Sequence, residues 1–194
     1  MNNVDTDFFI PDLHKEILKI LLEKVSKLLD DYKIDYFIDG GTLLGAVRDK
    51  DIIPYDDDVD IGVLHKDFNK LMNILINLND EKYHILIQQN GNDCIKVFVG
   101  GLWCKNQNTD RIIGTPTLDI YRWEIKKDIV RLSSIGHRQL YKNCFYKLNE
   151  FYPLKKYKFG ELVVKGCNNP LGYLKRYYGE DCLTNYKMAE NRKL

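Results

Sequence analysis

Six aspartates fall within twelve positions, Asp49 to Asp60, just after a glycine pair. Four of them, Asp56, Asp57, Asp58 and Asp60, stand in the run YDDDVDIG. On a strand, side chains alternate, so Asp58 and Asp60 would share one face, roughly 7 Å apart. Carboxylates that close raise each other's pKa unless a cation lies between them. Oxygen-only ligands, with no His or Cys nearby in the chain, suit Mg²⁺ or Mn²⁺ better than Zn²⁺. The same composition also builds solvated acidic turns, and from the carboxylates alone both readings stand. Gly40-Gly41 lies eighteen residues before Asp58. Glycines at a strand-to-helix turn let backbone N–H groups approach an anion such as a phosphate. Together, a phosphate-side turn and a metal-side strand have the logic of metal-assisted phosphoryl transfer. A third carboxylate should come from a neighbouring strand. Asp119, set among apolar residues in TLDIYRW, is the candidate, because charge is depleted in strands.

The elements that must position these residues follow from periodicity. PDLHKEILKILLEKVSKLLDDY carries Leu13, Ile17, Ile20, Leu21, Val25, Leu28 and Leu29 at helical spacing, after a Pro-Asp entry. YFIDGG reads as a strand ending in glycines, TLLGAVR as a short helix and VDIGVL as a return strand. HKDFNKLMNILINLND is helical again. YHILIQQ and CIKVFVGGLW read as strands of a meander, followed by a polar loop, CKNQNTDRIIG, and the strand PTLDIYRWEI. The tail reads as a small hairpin and then a helix from Pro170 closed by Gly179. Helices alternating with strands, then several strands, predict an α+β or α/β-like domain with a helix-covered sheet.

The chain has 194 residues, 44% of them hydrophobic, enough for a sizeable core in one domain. A net charge of +1 gives no general attraction to nucleic acid, and no nucleic-acid reader motif is recognised. The charge is unevenly placed: residues 151–194 hold nine Lys or Arg against four Asp or Glu. Such a dipolar chain suits a metal-bound anionic ligand better than a long polyanion. Five scattered cysteines without a C-x-x-C pair read as reduced thiols. With no signal peptide and no membrane span in the sequence, the expectation is a soluble, cytoplasmic protein.

With those residues in place, YFIDGGTLLGAVRDKDIIPYDDDVDIGV resembles the signature of the LicD family, which includes phosphocholine transferases and fukutin-related ribitol-phosphate transferases. That family belongs to the nucleotidyltransferase-fold superfamily. The tail, YPLKKYKFGELVVKGCNNPLGYLKRYYGEDCL, is similar to the family's later Pro-Leu, Phe-Gly and Leu-x-x-x-Tyr-Gly pattern, so the likeness runs from about Leu13 to Cys182. It implies one domain over residues 1–194, a mixed sheet flanked by helices. The core would span about 11–128, with a hairpin-helix appendage at about 138–185. Carried over, Gly40, Gly41 and Thr42 would form the phosphate-side turn, and Asp58, Asp60 and Asp119 would be the catalytic metal ligands. Asp56 would orient the pair or a water. Arg48 would contact phosphate, or equally pair with the acidic loop. Two positions depart from the pattern: Asp49 stands where the family has His, and Tyr55 where it has Trp. Tyr55 keeps an aromatic wall at the substrate side.

The activity implied is transfer of phosphocholine or an alditol phosphate from a CDP-linked donor to a hydroxyl of a sugar or glycan acceptor, with Mg²⁺ or Mn²⁺ as cofactor. A basic side chain from the tail, among Lys155, Lys156, Lys158 and Arg176, would meet the phosphate charge, unless these form a solvated face. The rival readings are a nucleotidyltransferase using a nucleoside triphosphate, and an inactive relative that binds nucleotide or glycan.

Overall fold

In the computed structural model of the chain, residues 10–77, 83–88, 93–100, 104–105 and 112–186 are described. The ends of several expected elements, Leu78 to Asp80, Gln89, and Gly101 to Trp103, lie outside those residues, as does most of the polar loop after Lys105. Helix α1 (Asp12–Asp31) opens after Pro11, with Asp12 in its first turn, where a carboxylate favours the helix dipole. Strand β1 (Tyr36–Ile38) leads into helix α2 (Gly40–Arg48), and β2 (Asp58–Leu64) into α3 (His65–Ile76). Then come β3 (Tyr83–Gln88), β4 (Cys94–Val99), the short pair β5 (Cys104–Lys105) and β6 (Ile112–Gly114), and the long β7 (Thr117–Lys126). The chain continues through β8 (Ile129–Leu132), α4 (Ile135–Leu140), β9 (Phe145–Lys147) and α5 (Leu148–Phe151). It closes with the hairpin β10 (Lys155–Phe159) and β11 (Leu162–Gly166), and α6 (Pro170–Tyr178).

The main sheet is mixed, in the order β1-β2-β7-β4-β3, and β8 joins the far half of β7 and carries β9. β2 and β7 run parallel at its centre; β1, β4 and β8 pair antiparallel with their neighbours. The fold is thus α+β, as the alternation of elements implies, with a hairpin and helix at the C-terminal end.

Strand alternation divides the central residues between two faces. On one face, Ile61, Val63, Ile95, Leu118 and Ile120 are fully buried, and α1 and α3 pack on β2 and β7. The α1 stripe that enters the core includes His14, Leu18 and Leu22, while Leu13 and Ile20 face solvent. Ile17, Leu21, Val25 and Leu29 of the expected stripe are buried as well, and the buried His14 ring is hydrogen-bonded to the Asp57 carbonyl. The other face carries the acidic residues at one end and an aromatic cluster at the other. There Phe37 meets Trp123, Tyr146 and Phe151 edge-on, with ring centroids 5.5, 5.8 and 4.7 Å away. A Cβ on Gly62 would meet the Phe37 ring at 2.2 Å, so only glycine lets that ring lie flat across β2. Cys94, Cys144, Cys167 and Cys182 are buried free thiols.

Candidate metal and phosphate site

Register builds the site. β2 and β7 align Asp60 directly with Asp119, and β7 and β4 align Asp119 with Lys96. Asp60, Asp119 and Lys96 therefore form one row across three central strands, and Asp58 joins it on the same face two residues before Asp60. One oxygen each from Asp58, Asp60 and Asp119 lie within 4.8 Å of one another. An ion with metal–oxygen bonds of about 2.0–2.6 Å can span such a set.

The corner between β1 and α2 grips the backbone of Asp60 from both sides. The Asp39 amide donates to the Asp60 carbonyl at 3.1 Å, and the Asp60 amide donates to the Thr42 hydroxyl at 2.7 Å. Thr42 is buried and holds the metal strand in place. The glycine pair forms the first turn of α2 rather than preceding it. Gly40 has φ +52°, and a Cβ there would lie 2.8 Å from an Asp60 carboxylate oxygen. On Gly41, a Cβ would lie 2.2 Å from an oxygen of Asp56. Both glycines thus admit carboxylates against the positive end of the helix.

Burial pushes the Asp58 carboxyl up to about 7, with the charges of Asp119 and Asp57 adding to the rise and Lys96 opposing it. Asp60 is raised well above the ordinary carboxylate value by burial, then by Asp58 and Asp119. Burial raises Asp119 too, although its hydrogen bond from Lys96 pulls the other way. Desolvation alone would lower Lys96, but its bond and attraction to Asp119 outweigh that and raise it. Of the two Asp119 oxygens, Oδ2 takes the Lys96 ammonium and Oδ1 is buried without a hydrogen-bond partner. An all-carboxylate donor set, mutually repelling and with an orphaned oxygen, fits a hard divalent cation.

Beside the carboxylates is a cleft of about 130 Å³, floored by Asp39, Gly40, Asp58 and Asp60. Its wall is Tyr121, Tyr141, Tyr177 and Tyr178, from β7, the turn after α4, and α6. Burial, then the nearby carboxylates, raise Tyr121, so its phenol stays protonated. Asp39 is buried, accepts a hydrogen bond from the Tyr146 hydroxyl at 2.5 Å and has a second one with Tyr173; burial raises its pKa despite both. Tyr146 and Tyr173 stack at 4.0 Å, so β9 and α6 are fastened to the floor of the site through Asp39.

The remaining expected residues are placed differently. Asp56 abuts Gly41 in the turn before β2, with its pKa raised well above normal by burial and by Asp58 and Asp57 against the pull of Arg48. Arg48 is almost fully buried: Nε donates to Asp49 at 2.9 Å, Nη1 to the carbonyls of Asn185 and Cys182, and the guanidinium covers Tyr186. Its Nη2 has no hydrogen-bond partner. Tyr55 is half-buried against the core edge, apart from the residues lining the cleft. Lys155, Lys156 and Lys158 are exposed on the outer hairpin. Arg176 forks onto Glu150 at 2.8 and 3.0 Å and bonds the Phe145 carbonyl. Lys96 and the tyrosine wall are the features that sequence reasoning missed. The available signal for Lys96 was a lone charge inside the apolar run CIKVFV, the same signal that marked Asp119.

A mixed sheet with paired carboxylates on its central parallel strands, beside a glycine-led helix, places the molecule among nucleotidyltransferase domains. The chain belongs to the LicD family: residues 33–169 match the family model described as LicD/FKTN/FKRP, nucleotidyltransferase domain. An uncharacterised protein of Rickettsia prowazekii is 36% identical over 82% of this chain and 53% of its own length. The lipopolysaccharide cholinephosphotransferase LicD of Haemophilus influenzae is 33% identical over 46% of this chain and 34% of its own. The human ribitol 5-phosphate transferase FKRP is 48% identical over 40 residues, 21% of this chain and 8% of its own. The chain spans about half the length of the first two curated relatives it matches. Among the described residues, no helix is long and apolar enough to cross a membrane.

Proposed function

We propose that the chain is a Mg²⁺- or Mn²⁺-dependent phosphotransferase that moves phosphocholine or an alditol phosphate from a CDP-linked donor to a hydroxyl of a glycan acceptor. The observation that carries this reading is the set of Asp58, Asp60 and Asp119, with Asp60 and Asp119 in register, whose oxygens lie within 4.8 Å of one another. The names of the bacterial cholinephosphotransferase and the human ribitol 5-phosphate transferase support the two head-group classes. Asp58, Asp60 and Asp119 would hold the cation, which when bound neutralises phosphate charge. The first turn of α2, opened by Gly40, would offer backbone amides to the donor's phosphate. The tyrosine wall narrows the cleft against water and offers hydroxyl donors to the head group. The acceptor oxygen attacks the distal phosphorus of the donor; the bond from that phosphorus to the nucleoside monophosphate breaks, and CMP leaves. The acceptor proton passes to a carboxylate of the site.

The test is a donor panel of CDP-choline, CDP-ribitol and CTP with Mn²⁺, reading CMP against pyrophosphate. CMP release from a CDP-linked donor, abolished in Asp58→Ala with Asp60→Ala, is expected. Pyrophosphate release from CTP instead would move the assignment to nucleotidyl transfer.

A further inference from the structure

A diphosphate held beside the carboxylates would gain from a charge-assisted hydrogen bond of a side-chain cation, and among the described residues the basic side chains expected from the tail are held elsewhere. Arg176 is forked onto Glu150, Arg48 is buried on Asp49 and two carbonyls, and the three hairpin lysines are exposed on β10, which is not part of the sheet that carries the carboxylates. Lys96 is differently placed. It projects from a central strand between buried Ile95 and Val97, an expensive position for an ammonium, and bonds Asp119 Oδ2 on the site face. Its side chain is 26% exposed, so it is neither sealed in the core nor free on the surface. The other oxygen of Asp119, Oδ1, is buried and without a hydrogen-bond partner.

We propose that Lys96 is the side-chain cation that binds the donor's diphosphate. It balances Asp119 while the site is unloaded and donates a hydrogen bond to a phosphate oxygen when the donor is held there. The flexible four-carbon stem lets one ammonium serve both partners. This assignment rests on the phosphotransferase reading and sharpens it, because it names the group that recognises phosphate independently of base and head group.

The experiment compares wild type, Lys96→Met and Lys96→Arg by calorimetry with three probes: Mn²⁺ alone, pyrophosphate with Mn²⁺, and cytidine with Mn²⁺. Removing a positive charge beside the carboxylates should leave Mn²⁺ binding unchanged or tighter in Lys96→Met. Pyrophosphate affinity should fall roughly 10- to 100-fold, the range for a charge-assisted hydrogen bond. Cytidine should be unaffected, and Lys96→Arg should recover most of the loss. Weaker Mn²⁺ binding in Lys96→Met, with pyrophosphate weakened only in proportion, would overturn the proposal and leave Lys96 as a positioning residue for Asp119. Unchanged pyrophosphate affinity would overturn it outright. If the wild type binds neither Mn²⁺ nor pyrophosphate, the phosphotransferase reading itself falls and this assignment falls with it. Matching melting curves separate these results from misfolding.

Discussion

Two acidic groups share Asp58, yet they are built differently. Asp58, Asp60 and Asp119 sit on paired strands, with backbone hydrogen bonds fixing each Cα and Asp119 buried. Asp56, Asp57 and Asp58 follow one another out of a turn, and Asp57 is exposed. Both groups bring carboxylate oxygens within 4.8 Å, so proximity does not distinguish them. Support does. The strand-built set has register, the Thr42 and Asp39 grip on Asp60, and Lys96 on Asp119; the turn is tied down by the His14 ring against the Asp57 carbonyl at 2.7 Å. A site needs carboxylates that cannot swing away from one another when loaded, and only the strands impose that.

The largest effect should come from breaking the strand-built set. Asp60→Asn or Asp119→Asn is expected to weaken Mn²⁺ binding by roughly 100-fold or more, since losing a ligand exceeds the 10- to 100-fold of losing its support. Asp57→Asn should change it by less than about fivefold, because an exposed charge is worth at most about 1 kcal/mol. Calorimetric titration reads both. The same Asp60→Asn change should raise the melting temperature of the metal-free chain, by removing a desolvated charge from between two others.

Stability against pH sharpens the contrast. The Asp58 carboxyl is raised from 3.8 to about 7, so between those values the native chain binds a proton that the unfolded chain does not. The Asp58 contribution to metal-free stability is therefore fully present below about pH 4 and is lost as pH rises through about 7. Saturating Mn²⁺ should flatten or reverse that slope, because the cation competes with the proton and binds more tightly as pH rises. Thermal melts across pH, with and without Mn²⁺, check the sign.

Smaller changes test the supports. Gly40→Ala forces φ +52° on an alanine and crowds the Asp60 carboxylate, so a loss of about 1–3 kcal/mol in stability should accompany weaker Mn²⁺ binding. Tyr146→Phe strips a hydrogen bond from buried Asp39 and should cost about 1–3 kcal/mol in denaturant melts, with Mn²⁺ affinity close to wild type.

Much of the site was legible because its chemistry is local. Asp58 and Asp60 announce themselves by i, i+2 spacing, Gly40-Gly41 by its place between strand and helix, and Asp119 by charge in an apolar strand. The tail's hairpin and the helix from Pro170 to Tyr178 also follow from local signals. What was hidden depends on pairing. Lys96 meets Asp119 because β4 lies beside β7 in a register that sets the two opposite, and strand order is not written in periodicity. The basic tail pointed to Arg176 as a phosphate ligand, but Glu150, brought close by the packing of α5 on α6, takes its guanidinium. Fully buried Tyr173 lines the cleft together with Tyr177 and Tyr178, because α6 ends against it.

The most direct test of the central claim is the position of Mn²⁺ in a crystal of the loaded protein, located by anomalous scattering at the manganese edge. The account predicts a peak within about 2.0–2.6 Å of carboxylate oxygens of both Asp60 and Asp119. A peak held by Asp56 and Asp57 in the turn, or no peak at saturating Mn²⁺, would contradict it.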